Sequence, residues 1–208
     1  LDAAVIENHL RGNIVAGVYP MLPDETCHFL AIDFDESGWQ KDINTLRVIC
    51  AEYAIPCAVE RSRSGNGGHA WFFFASPISA ALARKFGAAM LTHSMDKRHE
   101  IQFKSYDRFF TSQDTLPKGG LGNLIALPLQ KAAREKRNSE FVDENFESYR
   151  DQWAFLSTIR KLSEENIEHP ISTLCSGHEL GELKIDYEEE PAKPWETHTA
   201  SLQKSDFP

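Results

Sequence analysis

The sequence predicts an α/β (α+β) domain built around a mixed β-sheet. Short apolar runs with period-two alternation are interleaved with segments of helical period, without internal repeats. Apolar residues make up 41% of the 208 and aromatic residues 11%, enough for a sizeable core. No run approaches the ~20 apolar residues of a membrane span.

The elements follow in order. Residues 3–10 ("AAVIENHL") form a short amphipathic helix ending near Gly12, and 13–20 a short strand stopped by Pro20. After a turn over 21–27, "HFLAIDFD" (28–35) is a strand, and Ile43, Leu46, Ile49, Cys50 and Tyr53 give a helix over 39–54. Pro56 opens a strand over 57–62, which a Gly-rich loop (63–68) joins to a strand over 69–75. Ser76 as N-cap and Pro77 at the first helical position start a helix over 76–94. A short strand (100–103), a polar loop (104–122) and a strand over 123–129, ended by Pro128, come next. A long amphipathic helix capped by Asp143 is expected over 143–166. The domain is drawn as 1–187, with 188–208, rich in acids and prolines, as a linker toward a further region. The chain opens without Met and with no signal-peptide pattern, and is expected to be an excised or processed piece of a longer protein.

Cys27, Cys50, Cys57 and Cys175 form no CxxC pair and have no His at zinc-ligand spacing. Cys50 and Cys57, with apolar flanks, read as small buried hydrophobes, which implies a reducing, cytoplasmic compartment. The net charge of −9 is uneven: −5 over residues 1–83, +6 over 84–137 and −10 over 138–208. A basic middle between acidic flanks suits an anionic ligand held locally.

Four features carry chemistry. Asp33 and Asp35, two apart in a hydrophobic strand, share one face and repel, which suits either a bound cation or a shared proton. Hard divalent ions favour such oxygens. "ERSRSGNGGHAWFFF" (60–74) offers three glycines, Ser62, Arg63 and Ser64 as an anion cradle, with His69 at the start of the following strand. "SQDTLPKGGLGNLIALPL" (112–129) brings Asp114, with Lys118 on a second anion-friendly loop. The basic residues Arg84, Lys85, Lys97, Arg98, Lys104, Arg108 and Lys118 alternate with Phe103, Tyr106, Phe109 and Phe110. Those aromatics could stack bases or simply pack a sheet. Together the features match a two-metal phosphoryl-transfer site.

The order "AIDFDE", "SRSGNGGHAWFFF" and "YDRFFTSQDTLPKGGLGNLIALPL" resembles the archaeo-eukaryotic primase superfamily, closest to its TOTE conflict-system type. The stretches "HLRGNIVAGVYPML" (9–22) and "KPWE" (193–196) extend the resemblance over most of 9–196. It implies an archaeo-eukaryotic primase fold with an RRM-like catalytic half and flanking helices. It further implies a template-directed nucleotidyltransferase, a DNA primase-polymerase joining NTPs or dNTPs with two Mg²⁺ or Mn²⁺ ions. Asp33, Asp35 and a third acid would hold those ions. Asp114 is preferred over Asp107 for that place because it directly precedes the Gly-rich turn into "GNLIALP". His69, Ser62 or Ser64, and Arg63 would hold the triphosphate, and Tyr19 is a candidate for sugar discrimination. No zinc is expected, which favours extension over de novo priming. Implied partners are a DNA template and primer, with a helicase or other effector domain, and no membrane. A catalytically silent nucleic-acid-binding module and a metal-dependent nuclease remain alternatives, although a nuclease has no triphosphate to cradle.

Overall fold

Side chains along Thr26–Phe34 alternate, and that alternation divides the protein into two layers. The computed structural model describes residues 2–35, 37–97, 105–116 and 120–174, without the side chains of residues 96 and 97. Its elements run α1 (Ala3–Arg11), β1 (Gly17–Val18), β2 (Thr26–Phe34), α2 (Trp39–Glu52), β3 (Ala58–Arg61), β4 (Gly68–Ser79) and α3 (Ala80–Lys97). There follow β5 (Tyr106–Phe110), β6 (Ile125–Ala126), α4 (Lys131–Arg134), β7 (Glu140–Val142), α5 (Gln152–Thr158) and α6 (Glu164–Leu174).

Five strands form one sheet in the order β5-β2-β4-β3-β7, and β1 pairs with β6 in a second, two-stranded sheet. All these pairings are antiparallel. An isolated parallel bridge, Phe74–Leu162, adds the mixed character. Within it, β2-α2-β3-β4-α3-β5 with strand order β5-β2-β4-β3 is the split βαβ arrangement expected of an RRM-like half.

One face of the sheet is covered by helices. Leu30, Ile32 and Phe34 of β2 and Phe72 and Phe74 of β4 pack there against Ile43 and Leu46 of α2, Phe86 and Met90 of α3, and Ile167 of α6. On the other face Ala31, Ala58, Trp71, Phe110 and Phe141 form a second cluster with Ile125 and Leu129, bordered by Tyr149 and Phe155. The two clusters obey the strand period of two, so the residues flanking Ala31 in that period, Phe29 and Asp33, belong to the second face.

Several expected boundaries are corrected. The helix expected from residue 76 begins at Ala80, because β4 continues to Ser79 by pairing Cys27 with Ile78 and Thr26 with Ser79. Ser79, not Ser76, supplies the cap: its Oγ accepts from the Leu82 N–H at 3.2 Å. Pro77 falls in the irregular stretch between the Phe73 and Ile78 pairings, where its missing N–H costs no ladder bond. The loop expected over 104–122 contains β5, and the strands expected over 13–20 and 123–129 shrink to the pair β1–β6.

The long helix over 143–166 is replaced by a turn, α5 and α6. Asp143 Oδ1 accepts from the Asn145 and Glu147 N–H groups, each at 2.9 Å, which closes the turn. Asp151 caps α5 instead. Leu162 then bonds on both sides to β4, donating to Phe73 and accepting from Ala75, at 2.8 Å each. That extended pairing prevents one continuous helix. The strand over 100–103, the boundary after 187 and the linker lie outside the described residues.

Candidate active site

The site is one rung of the sheet. Arg108 of β5, Asp33 of β2, His69 of β4 and Glu60 of β3 are successive cross-strand partners. Paired residues share a face, so all four belong to the face opposite α2 and α3. His69 lies between two carboxylates: Nδ1 is 3.0 Å from Glu60 Oε2 and Nε2 is 3.3 Å from Asp33 Oδ1. Burial opposes a charge on His69, but the carboxylates of Asp33 and Glu60 on either side outweigh it and push the imidazole up to about 10. At neutral pH the ring is therefore a cation with both nitrogens protonated.

The third carboxylate is brought in by a β-bulge. Asp33 pairs with Arg108 and Phe34 with Tyr106, leaving Asp107 as the extra residue on β5. Regular alternation would send Asp107 toward the helix-covered core. The bulge turns it to the other face, and carboxylate oxygens of Asp33, Asp35 and Asp107 lie within 4.8 Å of one another. Asp33 is 8% exposed, whereas Asp35 and Asp107 are open to solvent. Burial, followed by the charges of Asp33 and Asp107, raises the pKa of Asp35, with His69 and Arg108 pulling the other way. Arg108 donates to Asp107 at 2.6 Å.

A hard cation fits this set. Asp33 Oδ1 is buried and makes no hydrogen bond, since its contact with His69 is a charge contact without hydrogen-bond alignment. A buried carboxylate oxygen left in that condition is costly. Three converging carboxylates and an unsatisfied oxygen are what a divalent ion would complete.

Beside the carboxylates lies the loop 62–67. Ser62 and Gly67 exchange backbone and side-chain bonds: Ser62 N–H to Gly67 O at 2.9 Å, and Gly67 N–H to Ser62 Oγ at 3.2 Å. Ser64 Oγ is 3.0 Å from Ser62 Oγ and accepts from the Asn66 N–H at 3.2 Å. Both hydroxyls therefore brace the loop itself, with Ser62 buried and Ser64 and Arg63 exposed. A Cβ on Gly67 would fall 2.4 Å from the Phe34 carbonyl and 2.5 Å from Asp35 Oδ1. Only glycine lets the loop press this closely against the carboxylates.

The remaining expected residues are distributed elsewhere. Asp114, expected as the third carboxylate, stands outside the cluster, in an ion pair with Arg84 at 2.6 Å, its side chain 59% exposed. Tyr19 follows β1 of the small sheet and is exposed. Lys118 lies outside the described residues. Phe109 and Phe110 are buried in the two cores, so they pack the sheet and offer no open face to bases. Glu60 had no assigned place in the site, and Arg108 was expected only as one residue of the basic stretch. A signal for Glu60 existed, a carboxylate inside the short strand "CAVERS" that precedes the glycine loop.

Compared with known families, residues 1–170 match the model described as the TOTE conflict system, archaeo-eukaryotic primase domain. The chain belongs to this family. Membership brings a primase-type nucleotidyltransferase function, and domains of the family typically use divalent metals, in keeping with the aspartate cluster. No individual curated protein matches the chain. Among the described residues of this primase-family domain, no helix is long and apolar enough to cross a membrane.

Proposed function

We propose that the domain is a template-directed nucleotidyltransferase, a DNA primase-polymerase that adds NTPs or dNTPs to a growing strand with Mg²⁺ or Mn²⁺. The observation that carries this reading is the meeting of Asp33, Asp35 and Asp107 within 4.8 Å beside a glycine loop and a cationic His69. Asp33, Asp35 and Asp107 would hold the divalent ions. Bound there, such ions make an attacking hydroxyl more acidic and neutralise charge on the phosphate being transferred. His69 supplies a fixed positive charge beside the cluster, and the solvent-facing Arg63 and Ser64 supply donors to the triphosphate. Arg108 neutralises Asp107 until an ion or a phosphate competes for it. The partners in this reading are a DNA template and primer and a fused helicase or effector domain, in a cytoplasmic setting.

The test is extension of a primed single-stranded DNA template, with each nucleotide set and Mn²⁺, resolved by product length. Asp33→Ala/Asp35→Ala abolishes extension while circular dichroism stays unchanged. The same double variant loses the stabilisation that Mn²⁺ confers on the parent, about 2.7 kcal/mol at a hundredfold excess over Kd, read as the rise in melting temperature. Extension surviving in the variant rejects the proposal. Shortened strands would instead favour the nuclease, and template binding without incorporation the silent module.

A further inference from the structure

Glu60 has no direct part in the reaction proposed above, yet it is 2% exposed and both of its oxygens are engaged. Oε2 accepts from His69 at 3.0 Å and from the Trp71 indole N–H at 3.1 Å, and Oε1 accepts from the Ser139 hydroxyl at 3.3 Å. A buried carboxylate with three donors is confined in position, because losing any of them leaves charge unsatisfied in the interior. Ser139 is itself fixed, its N–H donating to the Arg61 carbonyl at 2.9 Å. The His69 ring stands edge-on to Trp71 and Phe110, with ring centres 6.1 and 6.2 Å away.

The Glu60 carboxylate already accepts from the Trp71 N–H and the Ser139 hydroxyl, and with it in the accepting role the His69 nitrogen facing it, Nδ1, is the donor. That bond sets the ring plane and directs Nε2 to the other side, toward Asp33 and the open carboxylate cluster. We propose that Glu60 is a positioning residue. Anchored by Trp71 and Ser139, it holds His69 so that Nε2 is presented to the nucleotide phosphate beside Asp33. This role rests on the nucleotidyl-transfer reading, whereas the Glu60–His69 bond can be tested without it.

The experiment compares Glu60→Ala with Glu60→Gln in the full chain. A glutamine oxygen can accept from His69 and Trp71 while its amide group donates to the Ser139 hydroxyl. Glu60→Ala is expected to raise the nucleotide KM at least ~10-fold with kcat changed by less than ~3-fold, and Glu60→Gln to recover most of that loss. An unchanged KM in Glu60→Ala, or equal impairment of the two variants, overturns the proposal. Should Glu60→Ala not fold, Ser139→Ala removes an anchor that does not touch His69. It should raise KM about 3-fold at constant kcat, and no change would count against the role.

Nitrogen-15 NMR of labelled histidine reads the bond without turnover, with the His69 signal assigned by its loss in His69→Gln. The Nδ1–H resonance should persist in Glu60→Gln and vanish in Glu60→Ala, and its persistence in Glu60→Ala overturns the positioning role. A protein that shows the expected resonances but incorporates no nucleotide rejects the reaction reading while leaving Glu60 as the anchor of His69.

Discussion

Two faces of the same strand obey different rules. On one, Leu30, Ile32 and Phe34 are fully buried under α2 and α3. On the other, Asp33 follows Ala31 in the rung that holds Arg108, His69 and Glu60. The first face stabilises the domain through apolar burial, and every neighbour contributes in the same sense. The second concentrates like charges, and burial together with the neighbouring charges of Asp33 and Asp107 raises the pKa of Asp35. A strand built this way uses rigidity from one side to hold carboxylates that would otherwise move apart. Substitutions should separate accordingly: activity is lost on the open face, stability on the covered one.

The largest effect belongs to the third carboxylate. Asp107→Ala should reduce nucleotide incorporation at least ~10³-fold, about 4 kcal/mol of barrier, with the melting temperature nearly unchanged. Asp114→Ala should stay within ~3-fold of the parent, because it removes an exposed ion pair with Arg84 and exposed pairs contribute little. Steady-state extension rates on a primed template measure both. The opposite ranking would return Asp114 to the site and leave the bulge on β5 without a role.

The covered face gives the complementary result. Ile32→Ala, one residue from Asp33, should cost about 3 kcal/mol in urea unfolding by leaving a cavity beneath α3. Asp33→Asn should cost far less, or stabilise the metal-free protein, because it removes one of three crowded charges. A loss of equal size for the two variants would mean that the charged face also carries stability.

Much of this arrangement was readable from residue order. Asp33 and Asp35 stood out because period two in a hydrophobic strand leaves no apolar reason for them. His69 stood out because it follows three glycines and opens the next strand. Asp107 could not be preferred from the sequence, since its direction depends on an extra residue in the β2–β5 pairing, and a bulge leaves no mark in hydrophobic periodicity. The helix expected over 143–166 failed for a similar reason. Its apolar spacing is real, but Leu162 is taken by hydrogen bonds to Phe73 and Ala75, partners more than eighty residues away. Local pattern identified the central strands β2 and β4, while long-range pairing decided the edges.

The glycine loop tests whether close approach matters as much as charge. Gly67→Ala leaves every charged group in place but puts a methyl 2.5 Å from Asp35 Oδ1 and 2.4 Å from the Phe34 carbonyl. Either the loop withdraws or Asp35 turns away. A displacement of that size should lower incorporation about 10- to 100-fold, with Mn²⁺ affinity falling in parallel. Normal Mn²⁺ affinity with lowered incorporation would show that the loop moved and the carboxylate did not.

The smallest effect lies on the covered face and concerns a proton. Cys27 is fully buried in that core, and burial pushes its thiol up to about 11 from an ordinary value of 9.0, against the lowering influence of Thr111. Below pH 9 the thiol is protonated in both folded and unfolded chains, so it adds no pH dependence there. Between 9 and 11 the unfolded chain loses the proton while the folded one keeps it, so stability falls as pH rises, by at most about 1.4 kcal/mol per pH unit for one group. Above 11 both forms are ionised and the slope from this group ends. Urea unfolding between pH 8 and 11 should therefore decline less steeply in Cys27→Ala than in the parent. Burial raises the pKa of both Cys27 and Asp35, but with different consequences at neutral pH. The thiol is already neutral and adds no charge to the core. A carboxylate crowded by like charges on the open face instead calls for a cation.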